Sequence, residues 1–248
     1  MNHNKVNNAK EIANDPNVTP FEKDWAEALI DYFSDNFKDA IEKFLQLLKE
    51  YPSKINFEDL SLIYSRLSYC YSKLKNHNNA LLYSESSTIL NPSSNIVWYN
   101  KGAVLSEFKR YKEALVCFDM AIEINPNNNM AWYDKGIIFS DSKEYSNALL
   151  CFNEVLRIKS SHDIAWYNKG LTLENMKRYN EALECYDKAI EIRPNDDAAW
   201  NNKGIVYENM TKYQKALECY KKALKINPDH EIAQRNKKRV EQKLNKDD

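Results

Sequence analysis

Glycine and proline are scarce, 4 and 7 in 248 residues. So few chain breakers exclude a turn-rich β architecture. Long apolar runs are also missing. None approaches the roughly 18 residues that a membrane-crossing helix requires, so a membrane protein is not expected. The first twenty residues hold no continuous apolar segment, which predicts no secretory signal. An excess of charge is lacking too: 35 basic and 36 acidic side chains leave a formal charge of −1. No global field would steer the chain to nucleic acid or to an anionic membrane. Cysteines number five. An odd count without a secretion signal predicts reduced thiols and a cytoplasmic protein.

What remains is helix-forming and aromatic. Hydrophobic residues make up 43% and charged residues 29%, and there are 16 Tyr, 9 Phe and 5 Trp. Mean hydropathy is −0.70, yet these large amphipathic rings supply enough apolar area to order a polar chain.

The strongest pattern is internal repetition. WYNKG or a near copy recurs every 34 residues, at Trp98–Gly102, Trp132–Gly136, Trp166–Gly170 and Trp200–Gly204, and holds every glycine of the chain. At the same period come Ala80, Ala114, Ala148, Ala182 and Ala216, followed four residues on by Ser84, Phe118, Phe152, Tyr186 and Tyr220. Pro92, Pro126, Pro194 and Pro228 close their units, with Ser160 in that place once. Residues 163–196 and 197–230 share 19 of 34 positions. Trp, Gly and a bulky residue at i, i+4 and i+7 make one helical stripe. A helical glycine costs roughly 1 kcal/mol against alanine, which close approach of a second helix repays, the small alanine being the natural partner. Proline ends that second helix. Asn95, Asn129, Asp163 and Asp197, three residues before each Trp, are expected to cap the next one.

These offsets resemble the tetratricopeptide repeat family, whose unit carries Trp, a small residue, Tyr, Ala, Phe and Pro in this order. The resemblance implies an all-α, right-handed α-solenoid of antiparallel helix pairs. Its units are 95–128, 129–162, 163–196 and 197–230, with weaker ones at 61–94 and 21–54 separated by an insertion, 55–60. Residues 1–20 read as a mobile polar tail and 231–248 as a charged C-terminal capping helix. Lys101, Lys135, Lys169 and Lys203 depart from the family's leucine. Their stems are expected along the seam between units, with the ammonium in water.

Catalytic constellations do not follow from this pattern. His3, His77, His162 and His230 fall in a tail or in different units, giving no Ser-His-Asp, Cys-His or HExxH arrangement. Every glycine has a structural reading, which leaves no phosphate loop. Cys117, Cys151, Cys185 and Cys219 share a register, but successive helices lie roughly 10 Å apart, too far for a disulfide or a tetrahedral zinc site. They read as small packing residues. The basic run Arg235, Lys237, Lys238, Arg239 and Lys243 lacks interleaved aromatics and reads as a solvated cap. The chain is therefore expected to be no enzyme and to carry no cofactor or metal.

The remaining stripe of each leading helix is the candidate site, since in the family this stripe lines a concave surface and binds partners. It brings together Tyr99, Tyr133 and Tyr167, then Asn100, Asp134, Asn168 and Asn202, then Glu107, Asp141, Glu174 and Glu208. Between them runs an apolar floor of Ala103, Ile137, Leu171 and Ile205. An asparagine ladder offers donors and acceptors to a peptide backbone, and the carboxylates favour a segment with basic side chains. Ile96, Met130, Ile164 and Ala198 stand where relatives that clamp acidic chaperone tails carry basic residues, so that clamp is disfavoured. The expected function is a protein-interaction scaffold holding a protein or peptide in the groove. The second reading is a self-assembling or docking subunit, a homo-oligomer or part of a complex whose chemistry lies in another chain.

Overall fold

The computed structural model describes residues 2–245. Residue 1 of the expected tail and residues 246–248 of the expected capping helix lie outside the described residues. Among those described there are fourteen helices and no strand. In order they are α1 (Asn2–Asn14), α2 (Pro20–Phe33), α3 (Phe37–Glu50), α4 (Phe57–Lys73) and α5 (His77–Leu90). Next come α6 (Asn95–Glu107), α7 (Tyr111–Ile124), α8 (Asn129–Asp141), α9 (Tyr145–Ile158) and α10 (Asp163–Asn175). The last are α11 (Tyr179–Ile192), α12 (Asp197–Asn209), α13 (Tyr213–Ile226) and α14 (Glu231–Leu244). None is long and apolar enough to cross a membrane.

The described residues fall into two compact units divided between Ala131 and Trp132. Within each, helices pack almost entirely on their sequence neighbours, as a solenoid demands. In the first unit, Ala28, Ala40, Phe44, Leu47, Ile63, Leu67 and Cys70 form one buried cluster across α2, α3 and α4. In the second, Leu173, Ala182, Cys185, Tyr186 and Val206 tie α10 and α11 to α12. Ala216, Leu217, Tyr220 and Val240 tie α13 to α14.

Most local devices recur at the sequence period. The turn inside each pair passes through one left-handed residue that is not glycine: Asp35, Lys75, Lys109, Lys143, Lys177 and Thr211, with φ of 58 to 62°. Each glycine is a contact point. A Cβ on Gly102 would stand 2.7 Å from a ring carbon of Phe118 and 3.2 Å from the Ala114 carbonyl oxygen. The glycine's main partner is thus the aromatic ring, with the expected alanine contributing its backbone. Ser68 occupies the glycine register in α4, and there its hydroxyl donates to the Ala80 carbonyl at 2.7 Å. The tryptophans lock the preceding turn: the indole N–H of Trp98 donates to the Pro92 carbonyl at 2.8 Å, and that of Trp166 to the Ser160 carbonyl at 2.9 Å.

Three expectations need correction. The N-terminal stretch is not simply a polar tail: α1 spans Asn2–Asn14 and packs on α2 with Ala9 buried. Next, the caps sit one residue earlier than expected. His162 Nδ1 accepts from the Ala165 amide at 3.2 Å, and Asp196 Oδ1 from that of Ala199 at 3.1 Å. Three of the expected caps instead fasten the next turn. Asn95 Oδ1 accepts from Asn128 at 3.0 Å, Asp197 from Asn227 at 2.8 Å, and Asp163 pairs with Arg193 at 3.2 Å. Finally, the seam lysines lie over rings. The ammoniums of Lys101, Lys169 and Lys203 stand 5.7, 5.2 and 5.3 Å from the indole centroids of Trp98, Trp166 and Trp200. Lys203 is also paired with Asp187 and largely buried. A cation over the indole face replaces the leucine contact there.

Candidate binding surface

Helical spacing puts Ile164, Tyr167, Asn168, Leu171 and Asn175 on one stripe of α10. The equivalent stripe of α12 holds Ala198, Asn201, Asn202, Ile205 and Asn209. Each stripe tyrosine rests on the aromatic residue of its own pair. Ring centroids are 6.0 Å apart for Tyr99 and Phe118, 6.1 Å for Tyr133 and Phe152, and 5.9 Å for Tyr167 and Tyr186. The ring is thereby fixed, and the hydroxyls of Tyr133 and Tyr167 reach the following pair.

That hydroxyl is where the asparagines go. Asn168 Nδ2 donates to the Tyr133 hydroxyl and Asn202 Nδ2 to the Tyr167 hydroxyl, both at 2.8 Å and both 35 residues apart. The same step recurs where tyrosine is replaced. Asn100 Nδ2 donates to Ser65 Oγ at 2.5 Å, and Asn236 of α14 to Asn201 Oδ1 at 3.1 Å. At the start of the series Arg66 takes the asparagine's place and lies 5.7 Å over the Trp25 ring. The ladder is therefore a staircase of bonds from a leading helix to the one before, from α6 to α4 in the first unit, and from α10 to α8, α12 to α10 and α14 to α12 in the second. Asn168 spends its second N–H on the Ile164 carbonyl at 3.0 Å. Its carbonyl oxygen has no partner among the described residues, and the Tyr133 hydroxyl keeps its proton to donate. The outward offer differs from the expected one: acceptors come from asparagine and donors from tyrosine. Burial raises the phenol pKa values of Tyr133 and Tyr167, so both hydroxyls stay protonated.

The carboxylates divide sharply. Glu208 is nearly buried and accepts from Arg239 through two bonds of 2.7 and 2.8 Å, from Lys243 at 3.1 Å and from the Tyr220 hydroxyl at 2.9 Å. Burial opposes its charge, but these donors hold its pKa at about 2. Glu107 accepts from Ser72 and from Lys75 at 2.9 Å, with Lys73 at 3.6 Å, and these lower its pKa against the effect of burial. Glu174 accepts from the Tyr186 hydroxyl at 2.8 Å, and among the described residues no cation reaches it. Its pKa is raised by burial, only partly offset by that bond. Asp141 is exposed at the end of α8, and Tyr99 and Asp134 are half-buried on the stripe.

One element was missed. Ile96, Met130 and Ile164 are 51, 53 and 42% exposed. Each stands one turn before the asparagine register of its own helix, as does Ile232 of α14 at 49%, and gives that helix an apolar edge. Their spacing from the asparagines, four residues, was the available signal. The cysteines of the shared register are buried, and burial pushes the Cys185 and Cys219 thiols up to about 11. Such thiols are poor nucleophiles at neutral pH.

No curated relative matches the chain. Among solved structures it is similar to YrrB, described as a TPR protein with an unusual peptide-binding site. Identity is 26% over 80% of this chain and 100% of that one, with a TM-score of 0.64. MamA from Desulfovibrio magneticus RS-1 has 22% identity, coverage of 69% and 97%, and a TM-score of 0.64. A chain of the APC/C hetero-tetramer Cut9–Hcn1 has 14% identity over 96% of this chain and 47% of that one, with a TM-score of 0.75. The last two likenesses are of fold alone. Models of the tetratricopeptide repeat match residues 96–128, 131–162, 164–196 and 198–230, more than half of the chain. With its helix pairs, glycine contacts and closing prolines, this chain belongs to the tetratricopeptide repeat family.

Proposed function

We propose that the protein is a non-catalytic scaffold, working in the cytoplasm, that holds a segment of another protein along the leading-helix stripe. The observation that carries this reading is the staircase of Asn168 on Tyr133 and Asn202 on Tyr167. It fixes a row of polar groups beside half-exposed apolar side chains, Ile164 and Leu171, before any ligand arrives. Pre-organised groups cost less to immobilise on binding, and rigid tyrosines give contact area at low entropic cost. An extended segment satisfies such a row through its own N–H and C=O groups, and apolar side chains settle on the edge and floor. YrrB, the relative with a peptide-binding site, shares this fold at 26% identity, which supports the same use of the surface here.

Affinity capture from lysate, read by mass spectrometry, tests the reading. The double variant Asn168→Ala, Asn202→Ala is compared with an outer-face control, Glu184→Ala, Glu218→Ala, after melting temperatures are matched. Each lost polar contact costs about 0.5–1.5 kcal/mol. A protein retained by wild type and control but depleted by the asparagine variant is the expected result. A partner kept by all three would move the site off the stripe. A concentration-dependent mass with no partner would favour self-assembly.

A further inference from the structure

Glu174 and Glu208 occupy the same register of successive leading helices and receive the same bond from below, from Tyr186 and Tyr220. Above Glu208 lies α14, which brings Arg239 and Lys243 onto the carboxylate and Asn236 onto Asn201, and buries its own Val240 against Ala216, Leu217 and Tyr220. Above Glu174 lies α12, which offers Ile205 and Asn209 at the positions of Arg239 and Lys243. The chain therefore displays, on its last helix, how this register is completed by a cation, and omits that cation one repeat earlier. Of the two glutamates in this register, Glu208 is ion-paired and Glu174, among the described residues, is not. It is half-buried, one turn from the half-exposed Leu171 and next to the exposed Asn175.

Resting on the stripe as the docking surface, we propose that the partner segment carries an arginine or lysine that seats on Glu174, flanked by an apolar side chain on Leu171. A partly desolvated carboxylate attracts a guanidinium more strongly than an exposed one, because water screens it less. Arginine matches it best, since its fork can meet both oxygens as Arg239 does on Glu208. Burial also raises the Glu174 pKa, which an incoming cation would reverse, as it has been reversed at Glu208. The ligand is thus a cationic amphipathic stretch of protein, and α14 is its intramolecular counterpart.

The test uses the full chain and a short labelled peptide of arginine, leucine and alanine. It is paired with the same peptide in which citrulline, equal in shape but uncharged, replaces arginine. Binding is followed by anisotropy, and the site is mapped by side-chain NMR shifts of Tyr167 and Asn168. Glu174→Gln keeps the hydrogen bond to Tyr186 and removes the charge, while Glu184→Gln on the outer face controls for general electrostatics. The expected result is binding about tenfold weaker or more for the citrulline peptide. A matching loss appears in Glu174→Gln and none in Glu184→Gln, with shifts at Tyr167 and Asn168. Equal binding of both peptides with those shifts would overturn the cation seat and leave the docking stripe standing. Arginine-dependent binding untouched by Glu174→Gln would overturn the seat as well. An absence of shifts with either peptide would overturn both.

Discussion

At the residue scale, two glutamates in one register show how environment sets the role of a side chain. Glu208 has a folded pKa of about 2, below the ordinary carboxylate value near 4.3. Its contribution to stability is therefore complete above the unfolded value and is lost as pH falls through about 2. Glu208→Gln should lower stability by about 1–2 kcal/mol at pH 7, stranding Arg239 and Lys243. The difference from wild type should shrink in melts taken toward pH 2. Glu174 has the opposite sign. Its raised pKa means that the charged form is penalised in the fold once pH climbs above the unfolded value. Glu174→Gln should therefore leave the melting temperature at pH 7 unchanged or raise it. A marked loss would mean that a cation reaches Glu174 after all. That contrast was not legible in the sequence, where both positions read simply as Glu near a helix end. It depends on which side chains sit one repeat on, and periodicity reports register without reporting who neutralises whom.

At the scale of the element, the glycines and the left-handed turn residues make opposite predictions. A Cβ at Gly204 would stand 2.5 Å from a ring carbon of Tyr220, against 3.0 Å from the Tyr186 ring at Gly170. Overpacking typically costs 1–3 kcal/mol, whereas alanine gains roughly 1 kcal/mol of helix propensity. Gly204→Ala should therefore lower Tm clearly, and Gly170→Ala less, as thermal unfolding would record. In the turn between α10 and α11, Lys177 holds φ at 59°, a conformation that costs a side-chain-bearing residue about 1–2 kcal/mol. Lys177→Gly should stabilise by about 0.5–1 kcal/mol, the remainder being lost to glycine's freer unfolded chain. The helix pairs, their order and the glycine contacts were plain from the 34-residue spacing, because packing and propensity agree there. The caps were misplaced by one residue because Asp or Asn at 163 and 197 looks equally suited to capping. Only the fold reveals that Arg193 and Asn227 claim them. The tail was misread because a polar stretch with a single buried small residue, Ala9, leaves little periodic trace.

On the scale of the whole molecule, short-range packing repeated along the chain produces two compact units, each able to present a continuous row of side chains. α14 closes the second by burying Ala233, Asn236 and Val240. Removing residues 231–248 should cost roughly 2–5 kcal/mol through the exposed face of α12 and α13, measurable as a lower denaturant midpoint with circular dichroism still helical. The location of the stripe was legible from sequence, since the helical period fixes which positions share a face. Its chemistry was only half legible, because the donors of Asn100, Asn168 and Asn202 are committed to hydroxyls of the preceding leading helix. The central claim is that a partner segment lies along this stripe. Site-specific photocrosslinking tests it most directly, with a crosslinking amino acid placed at Leu171 or Ile205 on the stripe and at Glu184 or Glu218 on the outer face. Adducts to one protein segment, from the stripe positions alone, are the expected result. Adducts from the outer positions, with none from Leu171 and Ile205, would contradict it.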